Sequence, residues 1–333
     1  MDEKIDFVIT WVDGGDKDWL AEKMKYLSKD VDTNDVLNAA NRYRDMETLK
    51  YWFRCVEKYA PWVNKIFFVT WGHIPKWLNI NNPKLKIVNH KDYIPQEYLP
   101  TFNSNVIELN LHRINELSEC FVNFNDDMFI TDYVNKDFFF RKGLPRGTAN
   151  LYPILPRANY DHTTLNNVII INRHFNKEKV MKKFFLKFFN LKYGLYLLRF
   201  PTLNSYRGRW CGFYESHSAI SHLKSTMKNV WKEESDALDS ACKNRFRANS
   251  DISHWLFEKW NFMTGKFYPI SKYSKRHIDL SDNNEDVVKA IINRKYKILC
   301  INDASVDYDF EKAKKEIIKA FEEILPEKSS FEL

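Results

Sequence analysis

Apolar and polar positions follow two rhythms along the first 130 residues. Short β-branched and aromatic runs at residues 5–12 (IDFVITWV), 65–71 (KIFFVTW), 85–90 (LKIVNH) and 119–130 (ECFVNFNDDMFI) predict strands. Residues 46–59 and 103–117 instead carry helical periodicity, the first ended by Ala60-Pro61. This alternation predicts an α/β, Rossmann-like fold with a mostly parallel sheet and flanking helices. In such open sheets ligands bind beyond the carboxyl ends of the strands. Asp13, after the first strand, and Asn125-Asp126-Asp127, within the fourth, are therefore expected to face one crevice.

The rhythm is lost over residues 132–214, which read as an inserted helical and aromatic lobe and not as a second Rossmann unit. Within it, residues 181–200 put Met181, Phe184, Phe185, Phe188, Leu191 and Leu195 near one face of a helix. Lys183, Lys187, Asn190 and Gly194 fall along another. Such a helix either packs on the core or lies on an anionic bilayer. A further helix is expected over 251–263, a returning strand over 296–303 ending in Asn302-Asp303, and an amphipathic helix over 309–325 whose tail frays. The chain, 1–333, is expected to form one catalytic domain, with 309–333 as its C-terminal helix and tail.

Composition narrows the class. With 44% hydrophobic and 29% charged residues among 333, and only 9 Gly and 11 Pro, collagen-like and disordered chains are excluded. The formal net charge of +7 suits an anionic substrate or membrane surface, but its even spread does not point to nucleic acid. Five scattered cysteines without a CxxC pair imply neither a disulfide framework nor a zinc knuckle, and fit a reducing, cytoplasmic compartment. Neither a secretory signal nor an apolar span of about 18 residues is visible.

Adjacent acids at the end of a buried strand need a partner. Asp126 and Asp127 offer hard oxygen ligands that suit Mg2+ or Mn2+ bound together with substrate phosphates, although a capped turn would use the same residues. Asn302-Asp303 repeats the chemistry at a second strand end. Asp13-Gly14-Gly15-Asp16 is either a plain turn or a crevice for a ribose or base. Ser104, Glu108 and His112, at i, i+4 and i+8, form a polar stripe, with Arg113 beside it. His217 and His222 supply imidazoles that can accept a proton, and Arg245 and Arg247 supply forks that can clamp phosphate. The chain has no GxSxG elbow and no HExxH helix, so hydrolases of those types are unsupported.

Longer stretches are more specific. IDFVITWVDGGD, the block from RYRDMETLKYWFRCVEKYAPWVNKIFFVTWGHIPKWLN to ECFVNFNDDMFI, ESHSAISHLKST through RFRANSDI, and LCINDAS resemble the four conserved regions of the Stealth family. That family comprises bacterial capsule and exopolysaccharide phosphotransferases and the catalytic part of an animal N-acetylglucosamine-1-phosphotransferase. The resemblance implies a glycosyltransferase-A-like sheet and transfer of a hexose-1-phosphate from a nucleotide-diphosphate sugar, such as UDP-GlcNAc, to a glycan or lipid-linked glycan hydroxyl. Carried over by motif, Asp127 matches the second acid of NDD, His217 the first histidine of the third region, Arg247 the arginine of FR, and Asp13 the acid of WVDG. Asp127, His217 and Arg247 are then the catalytic set, with His222 and His112 as alternative bases. The donor-binding set comprises Asp13, Gly14, Arg44, Asn103, Ser104, Glu108, His112 and Arg113, and the metal set Asp126, Asp127, Asn302 and Asp303. Two alternatives remain: a metal-dependent glycosyltransferase acting at the anomeric carbon, and a non-catalytic glycan-binding protein using Trp and Tyr as platforms.

Overall fold

The computed structural model describes residues 3–27, 44–155, 159, 161–205, 208–303 and 307–333. In chain order, β1 (Ile5–Thr10) leads to α1 (Lys17–Tyr26), then α2 (Leu49–Tyr59), β2 (Ile66–Thr70), β3 (Leu85–Asn89), α3 (Ser104–Leu109), β4 (Cys120–Asn125) and β5 (Met128–Ile130). The middle of the chain holds α4 (Lys136–Phe139), β6 (Phe140–Arg141), β7 (Leu144–Gly147), α5 (Asp161–His174), α6 (Lys177–Phe188) and α7 (Phe200–Ser205). After β8 (Ile220–Leu223) come α8 (Lys224–Glu233), α9 (Ser235–Cys242), α10 (Trp255–Thr264), β9 (Tyr268–Pro269), β10 (Lys275–Asp279), α11 (Glu285–Ile292), β11 (Ile298–Asn302) and α12 (Phe310–Ile324).

The central sheet has the order β3-β2-β1-β4-β8, parallel except for β8, which runs antiparallel to β4. The expected α/β class with a mainly parallel sheet is what forms. Because side chains alternate along a strand, each face of this sheet feeds its own core. Phe7, Ile9, Phe68, Val122 and Phe124 pack with residues of α2, α11 and α12, while Val8, Phe67, Val69 and Phe121 pack with residues of α3, α8 and α10. Asp6 is fully buried within β1, yet it accepts from Asn64 Nδ2 (2.6 Å), Lys65 N (3.2 Å) and Ser118 N (2.8 Å). Those bonds satisfy a carboxylate that would otherwise oppose burial, and they staple the amino ends of three strands.

Three expected elements differ from those observed. The run 119–130 is two strands: Asp126 and Asp127 turn the chain, and β5 leaves for a second sheet of order β10-β11-β5. The helix expected over 103–117 stops at Leu109, where Asn110 Nδ2 bonds back to Val106 O at 2.8 Å, and a 3-10 turn, Leu111–Arg113, follows. The single helix expected over 181–200 is broken at Phe184 and again after α6, and Gly194 takes φ +60°, which only glycine adopts cheaply. Within this stretch Met181 and Phe188 are buried, whereas Leu191 and Leu195 are exposed.

The C-terminal tail does not fray. Arg54 pairs with Glu332 through two bonds of 2.8 and 2.7 Å, Phe331 is buried, and Leu333 N donates to Trp77 O at 2.9 Å. Burial alone would raise the Glu332 carboxyl, but the Arg54 fork and Ser329 outweigh it and hold the group below its ordinary 4.5. Its contribution is therefore complete above that value and is lost as pH falls through the depressed one. Glu332→Ala should cost about 3 kcal/mol at pH 7, because it leaves a buried guanidinium unpaired. Urea unfolding at pH 7 and at progressively lower pH checks this: the gap between wild type and variant should narrow in acid.

Candidate active site

The carboxyl ends of β1 and β4 open into a cavity of about 280 Å³. Asn125, Asp126, Asp127, His217, Arg247, Ser104, Arg44, Asn302 and Asp303 are among its lining residues. Topology explains the meeting. β8 runs antiparallel to β4, so the segment entering β8, which carries His217, arrives beside the end of β4. In the second sheet Cys300 pairs with Met128 and with His277, and Ile301 N donates to Asp127 O at 2.9 Å.

Asp127 is the hub. Its Oδ2 lies 3.4 Å from His217 Nε2 and accepts from the Cys300 thiol at 3.2 Å. The ligand atoms of Asp127, His217 and Cys300 lie within 4.8 Å of one another. Burial would raise the Asp127 carboxyl, but the bond and charge of His217, helped by Cys300, hold it below the ordinary range. The same contact raises His217 against the opposing effect of burial. Asp126 opens onto the cavity but is ringed by protein, and desolvation with repulsion from Asp127 and Asp45 pushes it up to about 7. The His277 ring packs 5.2 Å from that of His217, its Nε2 is 3.3 Å from Asp279 Oδ1, and burial lowers its basicity.

The donor set fits the hard divalent cation expected from the strand-end acids. Asn125 Oδ1 and Asp127 Oδ1 are buried oxygen acceptors without a hydrogen-bond partner among the described residues. Bare oxygens beside two carboxylates suit Mg2+ or Mn2+, whereas Cys300 serves as a thiol donor to Asp127 and not as a soft thiolate ligand. Asn302 and Asp303 reach the same cavity but are engaged: Asn302 Nδ2 bonds Asp279 at 2.7 Å, and Asp303 takes a fork from Arg44 (2.8 and 2.5 Å) and the Tyr308 hydroxyl at 2.8 Å. Both residues line the cavity wall while bonded to neighbouring side chains.

Arg247 Nη2 donates to Ser104 Oγ at 2.7 Å, which ties the arginine to the start of α3. Asn103 caps that helix and does not line the cavity. Its amide holds the arginine loop through Asn244 O and Phe246 O, both at 3.3 Å, and Asp251 Oδ2 at 2.9 Å. Glu108 is buried behind the site, 3.7 Å from His254 Nε2, and desolvation pushes it up to about 7. Asp13 and Gly14 stay in the turn after β1, outside the cavity lining. Asp13 Oδ1 accepts from Gly15 N at 2.8 Å, and nearby Asp45 is raised by burial, with the Asp13 charge adding to it.

His112 and Arg113 do not join this site. The 3-10 turn carries them to a separate depression, where Arg113 lies 4.7 Å over Trp231 and the His112 ring is 5.7 Å from the same indole. His222 is buried in β8 with Nε2 3.3 Å from His254 Nδ1, and burial pushes it down to about 3. Neither alternative base reaches the cavity. Cys300, His277 and Asp45 were missed by the sequence reading. Strand alternation puts Cys300 on the same face as Asn302, but only the pairing of β11 with β5 brings its thiol to Asp127.

The fold and site define an α/β protein whose crevice, at the carboxyl edge of a parallel sheet, gathers an acidic pair, an imidazole and a guanidinium. The chain matches the Stealth protein conserved region 1 over residues 3–31 and conserved region 2 over residues 42–146. It is 45% identical over 331 residues to the capsular polysaccharide phosphotransferase WcwK of Streptococcus pneumoniae, covering 99% of this chain and 98% of that protein. It is 43% identical over 333 residues to the receptor polysaccharide phosphotransferase WefC of Streptococcus oralis, covering 99% of each. The exopolysaccharide phosphotransferase cps2G of Lactiplantibacillus plantarum is 39% identical over 336 residues, covering 98% and 96%. The chain belongs to the Stealth family. Among solved structures, the galactosyltransferase LgtC with donor and acceptor sugar analogues aligns over 94% of this chain and 95% of its own, at 10% identity and a TM-score of 0.38, a likeness too low to carry an inference.

Proposed function

We propose that this protein is a polysaccharide phosphotransferase that moves a hexose-1-phosphate from a nucleotide-diphosphate sugar onto a hydroxyl of a glycan acceptor. The observation that carries the reading is the His217–Asp127 contact of 3.4 Å at a cavity that also holds Arg247. The names of relatives sharing about the whole length agree with it. With its Nε2 proton held against Asp127, His217 keeps the Nδ1 lone pair for the acceptor hydroxyl. The acceptor oxygen attacks the phosphorus next to the sugar, the bridging P–O bond breaks, and nucleoside monophosphate leaves with the bridging oxygen. The proton passes to His217, and the anomeric C–O bond is untouched. Arg247 neutralises charge that grows on the phosphoryl oxygens.

Asn125, Asp126 and Asp127 would hold Mg2+ or Mn2+, which when bound supplies charge neutralisation at the diphosphate. Purified protein given a panel of nucleotide sugars and acceptors should release nucleoside monophosphate, stop after chelation and resume with either ion. Release of nucleoside diphosphate would favour a glycosyltransferase, and no release at all would favour a glycan-binding protein.

A membrane surface is the second partner we propose. Among the described residues no helix is long and apolar enough to cross a membrane. Yet Leu186, Leu191, Leu195 and Leu198 are 75–88% exposed, with Phe185 and Phe189 beside them and Lys182 and Lys183 exposed nearby. Clustered apolar side chains with a basic fringe suit an anionic bilayer. Lys187 is excluded from that fringe, since its ammonium donates to Gly265 O (2.6 Å) and Phe267 O (2.7 Å). Co-sedimentation with phosphatidylglycerol vesicles should occur and should drop at least fivefold in Leu191→Asp/Leu195→Asp and in Lys182→Glu/Lys183→Glu. Unchanged binding by both variants would contradict the assignment.

A further inference from the structure

His90 has no part in the chemistry above. It follows β3, is 3% exposed, lines the cavity, and neither of its ring nitrogens has a hydrogen-bond partner among the described residues. Buried polar atoms are rarely left bare, and a group that is both buried and bare on a cavity wall points to a ligand. Burial pushes the imidazole down to about 3, so it stays neutral at physiological pH and presents one N–H donor and one acceptor lone pair.

Its place in the sheet says which part of a ligand it meets. In the order β3-β2-β1-β4-β8, the end of β3 stands three strand spacings from the end of β4, where the acidic turn begins. At about 4.8 Å per spacing the separation is roughly 14 Å. The lining also includes Trp11, Trp19, Thr101 and Phe102, together with Arg44 and Asp45. The cavity thus combines charged side chains gathered by the acidic turn after β4, Asp126, Asp127, His217 and Arg247 among them, with aromatic side chains and the bare, neutral imidazole that follows β3. A nucleotide sugar combines the same two characters, with a flat, neutral nucleoside held away from the reacting phosphorus by the diphosphate.

Resting on the transfer reaction proposed above, we propose that His90 hydrogen-bonds the nucleoside portion of the donor and so selects for a nucleotide in the cavity. It touches no reacting atom, so its loss weakens donor binding and leaves the chemical step intact.

Titration calorimetry on the full chain with UMP, CMP, AMP, GMP and N-acetylglucosamine 1-phosphate tests this. Wild type should bind at least one nucleoside monophosphate. His90→Ala and His90→Phe, the second preserving bulk in case the first fails to fold, should weaken that binding tenfold or more without changing sugar-phosphate affinity. His90→Gln, which keeps a donor and an acceptor, should recover most of it. In turnover, KM for the donor should rise tenfold with kcat within about twofold of wild type. Equal nucleotide affinity in a folded His90→Phe protein, or a loss confined to the sugar phosphate, overturns the assignment while the transfer reaction stands. A wild-type protein that neither binds any nucleotide nor consumes any nucleotide sugar overturns both.

Discussion

His217→Ala should lower turnover by about 10²- to 10⁴-fold, the range expected when a positioned general base is removed. The side chain is 37% exposed and opens onto the cavity, so its removal leaves no large void and the unfolding midpoint should stay near that of wild type. Asp127 raises the basicity of His217, and burial opposes it. A base works in its neutral form, so activity should fall as pH drops through a value above the ordinary 6.5 of histidine. Asp127→Asn removes the charge that raises His217, and should move that acid limb to lower pH while reducing the rate. Stopped-time assays of kcat/KM across pH, with folding followed by circular dichroism, measure both effects. A folded His217→Ala protein within a few-fold of wild type would remove His217 from the reaction.

Arg247→Ala should cost about 10²- to 10³-fold in kcat/KM, the usual consequence of deleting one donor aimed at developing transition-state charge. Its fork is pre-set: Ser104 Oγ holds Nη2 at 2.7 Å, and the loop behind it is fastened by Asn103 and Asp251. Arg247→Lys should recover little, since an ammonium cannot reproduce a planar fork. Asn103→Ala should lower kcat/KM by a smaller factor, because it loosens the loop without touching the cavity. Steady-state kinetics of the three folded variants separate these outcomes, and an Arg247→Ala protein with unchanged kcat/KM would contradict the electrostatic role.

Much of the sheet was legible because strands buried on both faces read as apolar runs with sharp ends. β1, β2 and β11 each fall within two residues of the runs that announced them, as does the half-exposed edge strand β3. Asp126 and Asp127 were visible because acids oppose a strand, but the same run hid the break that sends β5 to another sheet. Helix ends were harder. Glu47 takes φ +55°, which delays α2 to Leu49, and the Asn110 side chain ends α3, yet neither event disturbs the apolar periodicity. That early stop is why Ser104 faces the cavity while His112, expected on the same face, stacks near Trp231. Cys300 and His277 were illegible for a different reason. Their place beside Asp127 depends on β5, β10 and β11 forming one sheet across about 170 residues of sequence, a long-range pairing that no local pattern encodes.

The most direct test of the reaction follows one phosphorus atom. A nucleotide sugar labelled in the phosphate next to the hexose is incubated with purified protein, acceptor glycan and magnesium, and the products are separated. Attack at phosphorus predicts that the label enters the glycan as a phosphodiester while unlabelled nucleoside monophosphate is released. Label leaving in a nucleoside diphosphate, with a phosphate-free glycan product, would mean that the anomeric bond breaks and that the transfer proposed for the Asp127, His217 and Arg247 site is wrong.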